Sequence, residues 1–301
     1  MAQTKIIIAA AVGAVMFLVT ASYFLLTHER GYDPRFDVSV AEPAFSGAHP
    51  VVLFDEGHGN AGLSRQAYRP FVRLLRNDGY EVRVSQDQLT AQTLAGVSVL
   101  VIAQARGAGD APAFTEAEAS AVAEWVLLGG ALLLVSDPGP FAAAVAPLAD
   151  RFGVEMHGAE TRDQAHADPA IRATDIVFSG ALLGEHPILA GRTPRERVAR
   201  VGVFSGVSLR GPADSRPLLR LADSAQDRPL GASAADAQTS AAGRAQGVAV
   251  GFARGRVVVL GDADMLRAYF DNAGEPIGMN RPGLDNRQFA LNILHWLSRL
   301  I

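Results

Sequence analysis

The chain has 301 residues and contains no cysteine, which excludes disulfide bonds, thiolate metal sites and a cysteine nucleophile. Hydrophobic residues make up 49% of the sequence and charged residues 19%, a composition typical of a folded protein. The formal net charge is −4 and the sequence has no basic block, so a nucleic-acid partner is not expected.

The N-terminal region contains an uncharged apolar segment of 21 residues, Ile6 to Leu26. At about 1.5 Å per residue, a helix of this length crosses a hydrocarbon core of roughly 30 Å. Residues 6–26 are therefore predicted to be a transmembrane helix, preceded by a short cytoplasmic N-terminus at residues 1–5. Lys5 favours this orientation, which places the rest of the chain on the far side of the membrane. The alternative is a cleaved signal peptide, because Val19-Thr20-Ala21 has the small-residue spacing of a cleavage site.

Residues 27–49 contain two glycines and two prolines after His28 and show no sustained periodicity, which is typical of a linker. This linker is predicted to space the folded part of the chain from the bilayer. The folded domain is then expected to cover residues 50–301.

In the first half of that domain, short apolar runs alternate with helical patterns. Continuous apolar runs indicate strands buried on both faces, and apolar residues at helical spacing indicate amphipathic helices. This alternation is typical of βαβ units, which build a parallel sheet with helices on both faces. The predicted strands cover residues 51–54, 80–85, 97–103 and 131–135, and the predicted helices begin near Ser64 and Thr115.

The second half is less regular, with strands of mixed direction expected at residues 175–179, 198–204 and 218–221. Residues 223–247 are rich in Ala, Ser, Asp, Gln and Gly and are predicted to form an exposed, flexible loop. A hairpin is expected at residues 247–252 and 257–260. The last predicted element is an amphipathic helix from about residue 285 to residue 300.

Acidic and histidine side chains follow the apolar strands directly. The carboxyl ends of parallel strands meet at one edge of an open sheet, where doubly wound folds bind ligands. A ligand site is therefore predicted at this edge, with backbone donors and carboxylates presented together. The candidate ligand-binding residues are Asp55, Glu56, Gly57, His58, Gly59, Asn60, Asp262 and Asp264.

Three chemical interpretations of these residues stay open. Asp55, His58 and Asp262 are candidate ligands for a hard divalent cation, although Asp at strand ends also commonly caps helices and turns. Ser136, Asp137 and His58 are candidate catalytic residues, but Ser136 lacks the Gly-x-Ser-x-Gly pattern of a nucleophile elbow. Residues 57–62 match Gly-x-Gly-x-x-Gly, yet the acidic residues before them would repel a pyrophosphate, so no cofactor is predicted.

Three segments together resemble the class I glutamine-amidotransferase-like superfamily, and in particular its membrane-associated DUF4350-type branch. They are Val51 to Gly59, Gly129 to Asp137, and Gly255 to Asp262 with Asp285-Asn286 after them. The resemblance implies a flavodoxin-like α/β fold, a three-layer sandwich around a mostly parallel central sheet. Ser136 stands where amidotransferases have their nucleophilic Cys, and Asp262-Ala263-Asp264 replaces their His-x-Glu pair. Glutaminase activity is therefore not expected.

The resemblance implies a membrane-anchored, non-catalytic domain of the cell envelope that binds or scaffolds other envelope proteins, for example in a transport or surface assembly. The protein is expected in the inner (cytoplasmic) membrane as a single-pass protein, with its C-terminal domain periplasmic or extracellular. One alternative is a metal- or carboxylate-dependent hydrolase that uses the strand-end Asp and His residues. Another is a sugar- or nucleotide-binding sensor.

Overall fold

The computed structural model describes residues 31–109, 111–168, 172–231 and 238–301. The predicted N-terminus at residues 1–5 and the predicted transmembrane helix at residues 6–26 lie outside the described residues. Across the part of the chain that is described, no helix combines the length and the apolar character needed to cross a membrane.

The structure is a mixed α/β fold whose elements we number in chain order. The helices are α1 (Arg69–Asn77), α2 (Glu116–Leu127), α3 (Pro140–Asp150), α4 (Pro187–Ala190) and α5 (Asn286–Leu297). The strands are β1 (Val51–Asp55), β2 (Glu81–Ser85), β3 (Val99–Ala103), β4 (Ala131–Val135), β5 (Glu155–Met156), β6 (Glu160–Arg162), β7 (Ala167–Asp168), β8 (Arg172–Ser179), β9 (Arg200–Val203), β10 (Leu209–Arg210), β11 (Arg216–Arg220), β12 (Gln226–Arg228), β13 (Thr239–Ser240), β14 (Ala245–Phe252), β15 (Gly255–Leu260), β16 (Ala268–Phe270) and β17 (Pro276–Gly278).

The main sheet has the order β2-β1-β3-β4-β15-β14, with β10, β5 and β11 beyond β14. Strands β1, β2, β3, β4 and β15 are parallel, and β14 is antiparallel to β15. The predicted mostly parallel central sheet is confirmed. The hairpin of β14 and β15 is also present where the sequence predicts it.

Side chains of the central strands alternate between two hydrophobic layers. In β4, Leu133 and Val135 pack into the layer that contains α1 and α5, whereas Leu132 and Leu134 pack into the layer that contains α2 and α3. All of β4 is buried, as the unbroken apolar run from Ala131 to Val135 predicts. The domain therefore has three layers, with the sheet between two layers of helices.

The two predicted helix starts differ in outcome. Thr115 caps α2 through a capping box, because its side chain accepts from the backbone of Glu118 while Glu118 bonds back to Thr115. Ser64 does not cap α1, which begins at Arg69 after a short 3-10 turn at Leu63–Arg65. The Glu56 carboxylate accepts from the backbone N–H groups of Gly62 and Ser64 instead, at 2.8 and 2.7 Å.

Residues 31–49 do not form the spacer that the sequence predicts. Tyr32 and Val38 are buried, and the backbone N–H of Asp33 donates to the carbonyl of Ala268 at 2.6 Å. The backbone at Phe45 lies so close to Gly79 that a Cβ on Gly79 would be 1.9 Å from the Phe45 carbonyl oxygen. This segment is a packed part of the domain, because its scattered apolar residues cover the layer of α1 and α5.

Residues 223–247 also differ from the predicted exposed loop. They contain β12 and β13 and the start of β14, and Asp227 is only 2% exposed. The Asp227 carboxylate accepts hydrogen bonds from the hydroxyls of Thr161 and Ser208, both at 2.6 Å. Large apolar residues are scarce in this segment, but Ala225 and Ala241 are small enough to be buried completely.

Candidate functional site

The turns that follow β1, β3, β4 and β15 meet at the carboxyl edge of the central sheet, because these four strands are parallel neighbours. Asp55 ends β1, Gln104 follows β3, Asp137 lies two residues after β4 and Asp262 two residues after β15. These residues form two separate groups of hydrogen bonds. One is centred on His58, and the other on Asp137 and Asp264.

The imidazole of His58 is held between two carboxylates. Its Nδ1 atom lies 2.7 Å from Oδ1 of Asp55, and its Nε2 atom lies 3.0 Å from Oε1 of Glu118. The side chain of His58 is 9% exposed, and its ring lies 4.5 Å from the ring of Phe114. Because both ring nitrogens face acceptors, only the doubly protonated imidazolium can donate to both.

The electrostatics of this group favour its charged form. Burial acts to lower the pKa of His58, but the hydrogen bonds and charges of Asp55 and Glu118 outweigh burial and raise it. Burial likewise acts to raise the pKa of Glu118, and the hydrogen bonds from Thr115, His58 and Leu89 lower it to about 2. Both shifts stabilise the charged forms of His58 and Glu118, so the contact between them favours an ion pair.

The rest of the turn after β1 is held by internal bonds. The Asn60 amide donates to the Asp55 carboxylate and backbone carbonyl, both at 3.0 Å, and Asn60 accepts from the backbone of His58. Gly59 has φ +68°, and a Cβ there would lie 2.7 Å from the carbonyl oxygen of Arg106. Glu56 and Asn60 are thus placed as turn-forming residues, and Gly59 is needed for a close backbone approach.

Asp137 belongs to the second group. Its Oδ2 atom accepts from the Gln104 side-chain amide at 2.5 Å, and its Oδ1 atom accepts from the backbone N–H of Ala263 at 2.9 Å. Burial and the charge of Asp264 raise the pKa of Asp137 to about 6. The backbone of Gln104 has φ +50°, which is rare for a residue with a side chain. The residue that donates to Asp137 is therefore held in a strained backbone conformation.

The turn after β15 completes the second group. Asp262 is completely buried and accepts from the backbone N–H groups of Phe204 and Asp264, at 2.7 and 2.9 Å. Burial, with the charges of Asp264 and Asp137, holds the pKa of Asp262 well above its usual range. Asp264 accepts from the guanidinium of Arg267 and from the hydroxyl of Tyr269, both at 2.8 Å.

The structure arranges the candidate catalytic and metal residues differently from the sequence-based hypotheses. Ser136 is completely buried, and its hydroxyl donates to the carbonyl of Asp137 at 3.3 Å. Helix α3 begins after Gly139 and has no side-chain cap. Asp55 and His58 bond to each other, whereas Asp262 bonds to the backbone of another turn. Within the described ranges, no group of three or more His, Asp and Glu side chains is placed to hold a metal ion.

Several residues of these groups are absent from the sequence-based candidates, among them Glu118, Gln104, Arg267 and Tyr269. The Thr115-x-x-Glu118 spacing is the local pattern of a capping box, and the structure shows that box. Nothing in the sequence indicates that the same carboxylate also contacts His58, which lies 60 positions away.

The fold and the site together define an α/β domain with a mostly parallel sheet, whose polar groups at the carboxyl edge are bonded to one another. The family described as "Domain of unknown function (DUF4350)" matches residues 64–294, and the chain belongs to that family. The DUF4350 resemblance seen in the sequence is thereby confirmed. No curated protein sequence matches the chain.

Solved structures are similar to this chain at low sequence identity. The mmIFT52 N-terminal domain has a TM-score of 0.60 and 14% identity, covering 82% of this chain and 97% of that chain. A cytoplasmic protein from Salmonella typhimurium LT2 has a TM-score of 0.46 and 13% identity, covering 83% and 98%. A protein described as ThuA-like from Bacteroides uniformis has a TM-score of 0.46 and 14% identity, covering 88% and 95%. The first similarity supports the fold alone.

Proposed function

We propose that this chain is a membrane-anchored, non-catalytic domain of the cell envelope that binds a partner protein at the carboxyl edge of its sheet. In this proposal residues 6–26 are the anchor and the folded domain lies outside the cytoplasmic membrane. The sequence resemblance to the amidotransferase-like superfamily supports the non-catalytic part of this proposal, because Ser136 and Asp262-Ala263-Asp264 stand where that superfamily has its nucleophile and its base.

The observation that carries the proposal is that the polar groups of this edge are committed to one another. Both nitrogens of His58 are occupied by carboxylates, and the hydroxyl of Ser136 is buried against the backbone. A nucleophile and its base have to be within hydrogen-bond reach of each other, and Ser136 bonds to a carbonyl instead. Such internal bonds keep the turns rigid, which suits a surface that recognises another protein.

The anchor is tested by fractionation of cells that produce the full chain. We expect the protein to remain in the membrane pellet after carbonate extraction and to be digested by protease added to intact spheroplasts. A soluble mature form that begins near Ser22 would overturn the anchor. A protease-protected C-terminal domain would overturn the orientation.

The binding surface is tested by site-specific crosslinking in the same cells. A photo-crosslinking amino acid at exposed Ala61 places the probe at the carboxyl edge, and one at exposed Ala95, just before β3, places it at the opposite edge as a matched control. We expect one discrete protein adduct from position 61 and none from position 95. Equal labelling from both positions, or labelling from neither, would contradict the proposed surface.

One observation favours a second candidate function, a carboxylate-dependent hydrolase. Asp137 has a pKa of about 6 and is held by Gln104, whose backbone is strained, and such features are typical of general acids. The full chain would then hydrolyse one class of ester or glycoside with a rate that falls above pH 6, and Asp137→Asn would abolish that rate. Hydrolysis that is insensitive to Asp137→Asn would exclude this candidate.

A further inference from the structure

Helix α1 carries a row of arginines on its exposed face. Arg69, Arg73 and Arg76 are spaced by four and three residues, which places them on one side of a helix, and all three are exposed. The other side of α1 is apolar, and Phe71, Val72, Leu74 and Leu75 are buried there. Exposed Arg65 lies in the turn just before α1. We call Arg69, Arg73 and Arg76 the arginine face.

The arginine face has no carboxylate partner within the described part of the chain. Arg69 donates to the hydroxyl of Tyr32 at 3.0 Å, and Arg76 donates to the carbonyl of Val82 at 3.1 Å, so both contacts are with neutral groups. The sequence of α1 contains no acidic residue. Three adjacent positive charges on a protein of net charge −4 are therefore left for an anionic partner.

An acidic residue that lies beside this face is already held by other groups. Asp33 lines the same crevice as Arg69 and Arg73. Its carboxylate accepts from the backbone N–H of Arg35 at 2.8 Å and from the side-chain amide of Asn280 at 3.2 Å. It is therefore held by those two groups and forms no ion pair with the arginine face.

The start of the described chain lies beside the arginine face. Arg69 contacts Tyr32 by a hydrogen bond, and its guanidinium lies 5.4 Å from the centre of the Tyr32 ring. The proposed anchor ends at Leu26, so only residues 27–30 separate it from Gly31. The five residue steps from Leu26 to Gly31 span at most about 18 Å even when fully extended. The bilayer surface would therefore lie within reach of α1.

We propose that the arginine face binds anionic lipid headgroups of the same membrane that holds the anchor. This inference rests on the membrane anchor of the proposed function and adds an orientation to it, with α1 lying against the bilayer. Arginine suits this role because its guanidinium pairs with phosphate oxygens in a bidentate manner. The anchor holds the arginine face close to the headgroups, at a high effective concentration. Three charges are therefore sufficient for binding.

A lipid surface fits better than the other anionic partners. A nucleic acid is not expected here, because the sequence has no extended basic block of the kind that binds a polyphosphate chain. A soluble acidic protein would have to compete with the bilayer that the anchor already places beside α1. The bilayer is therefore the occupant that the position of the anchor favours.

The test uses the full chain in lipid nanodiscs, and the absence of native cysteine allows a single fluorophore to be attached at Gln66→Cys, next to Arg65. A matched label at Glu124→Cys lies on α2, in the helix layer on the other side of the sheet. The measurement is the quenching of the label's fluorescence by a nitroxide on the lipid headgroup. The discs contain phosphatidylcholine with or without about 30 mol% phosphatidylglycerol, which gives a strongly anionic surface.

We expect quenching at position 66 to be at least about twofold stronger in the anionic discs, and to lose this excess in high salt, because exposed charges are screened. Position 124 should show no dependence on lipid charge. The triple variant Arg69→Gln, Arg73→Gln, Arg76→Gln should lose the excess. The same three positions changed to Lys should keep most of it, as should the control variant Arg195→Gln, Arg210→Gln, Arg220→Gln, which removes three exposed arginines elsewhere.

The outcomes separate the two proposals. Failure of the full chain to insert into either disc would overturn the anchor, and this inference with it. Insertion with equal quenching in both discs would overturn the lipid contact alone and favour an acidic protein as the partner of α1. Retention of the excess in the triple Gln variant would also overturn it.

Discussion

The Nε2 atom of His58 lies 3.0 Å from Oε1 of Glu118, which joins the turn after β1 to the first turn of α2 across 60 positions of sequence. Glu118 also accepts from the backbone N–H of Leu89 and binds Thr115 as part of the capping box. One carboxylate therefore ties three segments together at the carboxyl edge of the sheet, with His58 as its cationic partner.

The first prediction concerns the stability that His58 supplies. His58→Ala leaves the carboxylates of Asp55 and Glu118 buried without their cation, so we expect a loss of about 3 kcal/mol in the free energy of unfolding. Urea unfolding of the full chain in detergent measures it. His49→Ala is the matched control, because His49 is exposed and contacts a single carbonyl, and it should cost less than about 1 kcal/mol. Equal costs for the two variants would contradict the structural role of His58.

The second prediction is the pH dependence of that stability. The pKa of His58 is raised on folding, so its contribution is complete below the usual value of 6.5 and is lost as pH rises through the raised value. The pKa of Glu118 is lowered to about 2, so its contribution is present above the usual value of 4.5 and is lost as pH falls toward 2. The stability difference between wild type and His58→Ala should therefore be largest between about pH 4.5 and 6.5. A difference that grows from pH 6.5 to pH 9 would contradict this sign.

The third prediction separates strain from hydrogen bonding at Gln104. Both Gln104→Gly and Gln104→Ala remove the bond to Asp137, but only glycine adopts φ +50° without cost. We expect the Gly variant to be more stable than the Ala variant by about 1 kcal/mol in urea unfolding. Ala253, with φ +51°, is the control, and Ala253→Gly should be at least neutral. A Gly variant less stable than the Ala variant would show that the backbone there is not strained.

The fourth prediction uses the raised pKa of Asp137. Folding raises this pKa from 3.8 to about 6, so ionisation of Asp137 weakens the folded state as pH rises through this window. Asp137→Asn removes the ionisation and keeps the shape. Oδ1 of the new amide can still accept from Ala263, and the Gln104 side-chain amide can turn by 180° so that its oxygen accepts from the new NH2 group. The variant should therefore gain stability relative to wild type between pH 4 and pH 7, by on the order of 1–2 kcal/mol. No relative change over this range would show that Asp137 titrates normally.

The local patterns of the sequence are sufficient for most of the central architecture. The apolar runs at Ala131–Val135 and Val257–Leu260 predict strands buried on both faces, and both are central strands of the sheet. Thr115 and Glu118 predict the start of α2, since a capping box involves residues only three positions apart. These signals succeed because backbone geometry alone determines the periodicity of buried positions.

The segments that the sequence misassigns are stabilised by contacts from far away. Residues 31–49 have the composition of a linker, yet Asn77 donates to the carbonyl of Val38 and Asp33 bonds to Ala268. Residues 226–228 form a strand because β6 and β13 pair with them, and their own apolar content does not indicate it. Composition predicts whether a segment can pack by itself, but not whether a distant element covers it.

The sequence by itself determines that the polar residues Asp55, His58, Asp137 and Asp262 lie at one edge of the sheet, because they follow parallel strands. Only the tertiary structure decides how they are paired there. His58 contacts Glu118 of a helix and Asp137 contacts Gln104 of the neighbouring turn, so the predicted single cluster is divided into two. The physical reason is that strand order places the turns, whereas hydrogen bonds extend only about 3 Å and depend on side-chain positions that the strand pattern does not specify.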